Sequence, residues 1–332
     1  MTTYRGILKD AFLISWRGKR LWIFGFFTTF LTIVGSLGMI SSHLSSAPNR
    51  TSQFFNWLTN VELVFNLKFW QNALVAFGRN PAALGRITTI GLIALAVVLL
   101  VVYLSANSQV ALILAGPQIL TGARPQLRQV WRAAKKYFWS AFFINLLVSA
   151  AEGIIFLIFS AMAAQLFLSD GSVFNTLAYD LLFILYVAVT VCVYFTGLYA
   201  LNFRVLKNET FGQSLNSAFR LFQQNWLVSL EMAAILIGLV AIISALSPIL
   251  TTAVYVPFSL VTLMFSFMGI KNVVFFLGLS LGLLIIALLV LLGSWLTTVI
   301  ISAWTDLFAK LTKDGVVSKK KRLYIRKKVE SL

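Results

Sequence analysis

Residues 4–40 read YRGILKDAFLISWRGKRLWIFGFFTTFLTIVGSLGMI, a basic amphipathic segment that runs without a break into an apolar one. Tyr4, Ile7, Leu8, Ala11, Phe12 and Trp16 recur at steps of three and four, the spacing of one helix face, while Arg5, Lys9, Asp10 and Arg17 fall elsewhere around the helix. Leu21 to Ile40 then supplies the roughly 20 apolar residues that cross a hydrocarbon core of about 30 Å. The same device returns twice. Over residues 125–139 the apolar face is Leu127, Val130, Trp131, Ala134 and Phe138, the wet face carries Arg128, Gln129, Arg132, Lys135 and Lys136, and Pro125 is expected in the first helical turn. Over residues 211–226 Phe211, Leu215, Ala218, Phe219 and Phe222 form the face, and Trp226 opens another apolar run. A gapless overlay sets Leu8 on Leu127 and Leu215, Ala11 on Val130 and Ala218, and Phe12 on Trp131 and Phe219.

Composition agrees with a bilayer protein. Hydrophobic residues make up 59% and charged residues 11%, against roughly 25% charged in ordinary soluble chains. The net charge of +17 is not read as a nucleic-acid footprint, because the bases flank apolar runs, where they set orientation and meet anionic headgroups. Cys192 is the only cysteine and lies in an apolar run, so no disulfide framework or thiolate metal site forms within one chain. A signal peptide ending near Ser45 to Ala47 is rejected: the run from Leu21 exceeds the usual core of about 7–15 residues, and its amphipathic leader has internal copies.

The chain is expected to be an all-α integral membrane protein of six spans, built as three repeats of a cytoplasmic amphipathic helix plus a two-span hairpin. Unit one covers 1–116, with spans at 21–40 and 88–116 and a long outer loop, 41–87, whose Phe54, Phe55, Trp57 and Trp70 suit segments lying on the membrane. Unit two covers 117–203, with spans at 138–168 and 177–203 joined by a polar turn at Ser169 to Asn175. Unit three covers 204–308, with span five starting at Trp226 and span six at 273–305, and a basic tail follows at 309–332. Ser247, Pro248 and Pro257 interrupt unit three, leaving 249–270 open as a span, a re-entrant helix or an interfacial one. Charge favours six spans. Segments on the amphipathic-helix side then carry 5, 5, 3 and 9 Lys plus Arg, against 4, 0 and 1 opposite, which places both termini in the cytoplasm. Trp22, Trp139 and Trp226, each at the mouth of a span, are expected as interfacial anchors.

Soluble catalytic chemistry lacks its parts. His43 is the only histidine, and no phosphate-binding glycine loop, paired-acid motif or zinc-binding helix occurs, so neither a metal site nor a cofactor site is expected. The acids inside the spans are the exceptions. An ionised carboxylate at mid-bilayer costs about 3 kcal/mol on insertion scales, so Glu152, fourteen residues into span three, is expected to be neutral unless water reaches it. Asn145 and Ser149 share its helix face, and Asn107 and Gln109 of span two are expected to face them. This set is read either as a proton-linked or substrate-contacting site or as an acid hydrogen-bonded between helices. Glu231 is expected to pair with Arg220 or Arg204, and Asp180 and Asp306 to reach water. Gly278 and Gly282 form a G-x-x-x-G that permits close helix packing. In the tail, Lys319, Lys320, Lys321, Arg322, Arg326, Lys327 and Lys328 suit an anionic leaflet or an acidic partner.

The run Leu21, Trp22, Ile23, Phe24, Gly25, Phe26 after a basic helix resembles the start of bacterial multi-pass membrane proteins. Tyr199, Ala200, Leu201, Asn202 and Phe203, followed by Glu209, Leu215, Ala218, Phe219 and Trp226, are similar to the membrane domain fused to some bacterial glycerophosphoryl diester phosphodiesterases. That resemblance implies an architecture and a bacterial origin, and the chain is expected in the inner membrane. The hydrolase domain has no counterpart in this sequence, so it implies no catalytic residues. The functional expectation is a non-enzymatic scaffold or lipid-interacting subunit, with membrane lipids as partners; the alternative is a transporter or lipid carrier with a protonatable site at Glu152.

Overall fold

The computed structural model describes residues 4–29, 81–123, 125–168 and 173–313. Every regular element among them is helical, with no strand. α1 is Tyr4–Arg17, followed by a 3-10 turn over Lys19–Leu21 and a helical run over residues 22–29; α2 is Pro81–Leu120, α3 Leu127–Lys135, α4 Phe138–Leu168, α5 Val173–Leu206, α6 Phe211–Phe267 and α7 Lys271–Lys313. Five stretches, Gly91–Leu120, Phe138–Ala163, Asn175–Leu206, Phe211–Phe267 and Asn272–Lys313, are long and apolar enough to cross a membrane. The protein is an all-α, multi-pass membrane protein. The first expected span beyond residue 29, the loop with His43 up to residue 80, the start of the turn after α4 and the basic tail lie outside the described residues.

The chain divides into two compact units, Met1–Phe26 with Asn107–Leu332, and Phe27–Ala106. In the second, the described part of α2 exposes Leu92, Ile93, Leu95 and Leu99, a surface that only an apolar solvent tolerates. In the first, burial concentrates at the end that carries the amphipathic segments. Ile7, Ala11, Ile14, Val110, Ala111, Ala134, Ile144, Ala218, Met232 and Leu307 are all buried there. Further along, each of α4 to α7 packs on its neighbours in chain order, and these helices expose Leu157, Ile184, Ile249 and Leu283. The core is therefore a plug at one end of the spans.

One overlaid set of amphipathic positions shares an environment: Ala11, Val130 and Ala218 are buried, and so are Gly25, Ile144 and Met232 further along the same overlay, whereas Phe219 is exposed where Phe12 and Trp131 are half-buried. The chain also bends at one shared position. Gly18 (φ −95, ψ 44) ends α1, a turn at residues 136–137 separates α3 from α4, and Asn225 (φ −129, ψ 26) kinks α6; Gly18, Tyr137 and Asn225 coincide in the overlay. Each bend turns a helix with one wet face into one that is apolar all round. At Gly18 a Cβ would stand 2.8 Å from the Ile14 carbonyl oxygen and 2.9 Å from Ile119 Cδ1, so only glycine fits. Pro125 is not in the first turn: α3 starts at Leu127 after an extended Gln126 (φ −77, ψ 128), which leaves Pro125 just outside the helix.

The open stretch at 249–270 forms no helix of its own, because 249–267 continues α6. Pro248 cannot donate to the Ser244 carbonyl four residues back, and the Ser247 hydroxyl takes that acceptor at 3.1 Å, so the helix passes through the proline. The stop comes at Gly269. With φ +74 it donates to Ser266 O at 3.1 Å while Ile270 N–H reaches Phe265 O at 3.2 Å, the paired bonds of a Schellman C-cap.

Close approach between helices occurs at glycines other than the G-x-x-x-G pair. A Cβ on Gly278 or Gly282 would meet nothing within 4 Å among the described residues, so that motif joins no helices there. At Gly197 of α5 a Cβ would fall 2.2 Å from Val148 Cγ2 of α4. Gly197→Ala is expected to lower stability by about 2 kcal/mol through overpacking, and Val148→Ala in the same chain to restore most of it, as read by thermal unfolding in detergent. A suppressor without effect would place the cost elsewhere.

Candidate functional site

The mid-span polar set is assembled in part. Asn145 on α4 donates its Nδ2 to Gln109 Oε1 on α2 at 2.8 Å, as the sequence led us to expect. Asn107 is fully buried, Ser149 is exposed and Glu152 is half-buried. Asn145 and Glu152 are two turns apart on α4, about 10 Å at 1.5 Å per residue, so the Asn145–Gln109 bond ties two helices without reaching the carboxylate.

A denser polar network sits at the plugged end, where the sequence reading placed no site. Lys310 of α7 bonds Asp306 at 2.5 Å one turn back and Asp10 of α1 at 2.9 Å. Asp306 does not reach water: it is 6% exposed, and the lysine bridges it to the amphipathic helix. The Tyr4 hydroxyl donates to Glu231 Oε2 at 2.5 Å and so ties α1 to α6 as well. Arg204, expected on Glu231, instead donates Nε to Ser140 Oγ at 2.9 Å and Nη1 to the Glu209 carbonyl at 2.7 Å, and its guanidinium lies 5.8 Å from the Tyr137 ring centroid. The Tyr137 hydroxyl bonds Asn208, which adopts φ 55 between α5 and α6. Side-chain polar groups thus join the first amphipathic segment to two spans.

Apolar contacts lock the same end. Phe195 stacks on Phe222 at 5.5 Å and meets Trp304 edge-on at 5.3 Å, and Phe203 meets Phe308 edge-on at 4.8 Å. The Tyr199 hydroxyl lies 2.7 Å from Ser229 Oγ. The run Tyr199 to Phe203 is buried throughout, so its residues act here in packing. The expected anchors differ: Trp139 and Trp226 are exposed, while Trp22 is half-buried and donates Nε1 to Ser15 O at 3.0 Å.

Cavities open on the spans among the described residues. One, about 500 Å³, lies between α4 and the start of α6. A smaller one, about 210 Å³, is walled by apolar residues of α4 and α5, including Ile158, Phe159 and Leu185. Neither is lined by Glu152. Among the described residues no three His, Cys, Asp or Glu side chains gather as a metal site would require. No known family, curated protein or solved structure matches the chain.

Proposed function

We propose that this chain is a non-enzymatic, lipid-interacting scaffold of the bacterial inner membrane, with six spans in three units, both termini cytoplasmic and the basic tail on the anionic leaflet. The observation that carries it is the clamped end: Asp10–Lys310–Asp306 and Tyr4–Glu231 fasten an amphipathic helix to two spans, while beyond the plug the spans expose mainly apolar side chains. An interfacial helix fixed in this way holds its apolar face at a set depth in the headgroup region. The common bend at Gly18, Tyr137 and Asn225 supports three equivalent units, and the resemblance to the phosphodiesterase-fused membrane domain agrees with that architecture. Transport is the second reading, favoured by the Asn145–Gln109 bond between spans.

The two readings separate on one side chain. Native mass spectrometry of gently extracted wild type and Glu152→Gln is expected to give the same set of bound molecules, because neither cavity described above is lined by that carboxylate. A small molecule retained by the wild type and lost in Glu152→Gln would replace the scaffold reading with transport.

A further inference from the structure

The larger cavity is a groove with one polar end. Trp139, Phe143, Leu147 and Ala150 form its floor along one face of α4, Phe211 of α6 stands opposite, and Ser140 is the polar residue of its lining. Its volume of about 500 Å³ falls within the roughly 300–1,000 Å³ usual for small-ligand sites. From Trp139 to Ala150 the floor runs about 16 Å at 1.5 Å per residue, close to the ~15 Å depth of one hydrocarbon leaflet. Trp139, 65% exposed at the start of α4, sets the headgroup level at one end.

That end carries a fixed cation. Ser140 Oγ is held by Arg204 Nε at 2.9 Å, and Arg204 Nη1 is held by the Glu209 carbonyl. These two bonds use two of the five guanidinium N–H donors. Nη2 donates to no group among the described residues, and Arg204 forms no ion pair among them. The guanidinium is thus oriented by protein contacts on one edge and leaves a planar pair of donors for an oxyanion, the geometry that suits phosphate. The smaller groove, about 210 Å³ and walled by residues such as Ile158 and Leu185, has no charged residue in its lining.

We propose that the α4/α6 groove is a specific site for one glycerophospholipid, its phosphodiester on Arg204 and one acyl chain along Trp139, Phe143, Leu147 and Ala150. This rests on the lipid-interacting reading above and assigns that contact a place. Ordinary annular lipid exchanges over the whole apolar surface; a lipid here gains an oriented charge-assisted contact at one end and a groove of one leaflet's depth below it.

The test uses the full-length protein in phosphatidylcholine nanodiscs doped with phosphatidylglycerol carrying a photoreactive group midway along one acyl chain. After irradiation, adducts are mapped by peptide mass spectrometry. The site predicts adducts concentrated on the peptide containing Phe143 to Ala150. Filling the groove with Leu147→Trp and Ala150→Phe, both exposed positions that leave the plug untouched, is expected to lower that adduct at least tenfold, whereas Leu185→Trp in the smaller groove leaves it unchanged. A diacylglycerol probe with the same chains is expected to label several-fold less, and Arg204→Gln to erase the difference between the two probes. Uniform adducts along α4 and α5, or a filled groove that labels as before, would overturn the site and leave the scaffold reading standing. Equal labelling by diacylglycerol in the wild type would overturn the phosphate contact. A ligand lost in Glu152→Gln would instead overturn the scaffold reading.

Discussion

Gly25→Ala is expected to destabilise the protein by roughly 3 kcal/mol or more, the upper range for a methyl forced into a packed interface. The added Cβ would stand 2.1 Å from the Ser294 carbonyl oxygen and 2.5 Å from Thr298 Oγ1, so it meets backbone on a helix that cannot yield locally. The Ser294 and Thr298 hydroxyls are themselves bonded back to Val290 and Ser294 carbonyls, which makes that face of α7 both narrow and internally satisfied. Small residues of this kind allow two membrane helices to meet at the backbone, where van der Waals packing rather than the hydrophobic effect holds them together. Gly278→Ala and Gly282→Ala provide the contrast. With no neighbour within 4 Å, each is expected to stay within about 1 kcal/mol of wild type, on the favourable side from helix propensity. Thermal unfolding in one detergent, run on all three variants, checks the order.

Lys310→Met is the second large effect, at about 3 kcal/mol, the scale of stranding a buried charge by deleting its partner. The methionine keeps the apolar stem and removes the ammonium, leaving Asp306, 6% exposed, without its cation, and freeing Asp10 from α7. Adding Asp306→Asn removes the stranded charge, so Lys310→Met with Asp306→Asn is expected to regain more than half of the loss. The single variant is also expected to expose α1 to limited proteolysis near Arg5 and Lys9, because the Asp10 tie is gone. A double-mutant cycle with no coupling between positions 306 and 310 would remove the network from the account.

Local periodicity made part of each expected face legible: the steps that single out Ala11, Val130 and Ala218 are a property of each segment alone and all three are buried, whereas Trp16, Phe211 and Phe219, read onto the same faces, are exposed. The long apolar runs were legible for the same reason. The clamp was not. Asp10 and Lys310 are 300 positions apart, and nothing in either segment marks the other as its partner. Asp306 read as a terminal acid near water because sequence shows how far a residue lies from the end of a span, not that a second helix covers it. Pro248 read as an interruption because the rule for proline counts the lost N–H, whereas here the neighbouring Ser247 hydroxyl takes up the orphaned carbonyl. Gly278 and Gly282 carried the recognisable spacing, yet Gly25 and Gly197 make the close contacts. Spacing states that a helix can be approached; which helix does so depends on the three-dimensional neighbours.

The lengths of α6 and α7 bear on the geometry of the last hairpin. From Met232 to Ile270 and from Asn272 to Thr305 there is no charged residue, and each limb exceeds the span of about 30 Å that the bilayer core requires. Tilts of up to about 40° shorten a helix by only a quarter, so the hairpin reaches well into the opposite headgroup zone. In the proposed six-span arrangement its turn at Gly269 falls on the face opposite the plug.

Side-specific thiol labelling tests that assignment most directly. In a Cys192→Ala background, single cysteines at Trp16, Gln129 and Gln213 mark the three amphipathic segments, and one at Met268, 60% exposed, marks the far turn. With a membrane-impermeant reagent on sealed inverted and right-side-out vesicles, the first three positions are predicted to label from the cytoplasmic face alone and Met268 from the opposite face alone. Any one of the three labelling from the same face as Met268 would contradict the three-unit, six-span account.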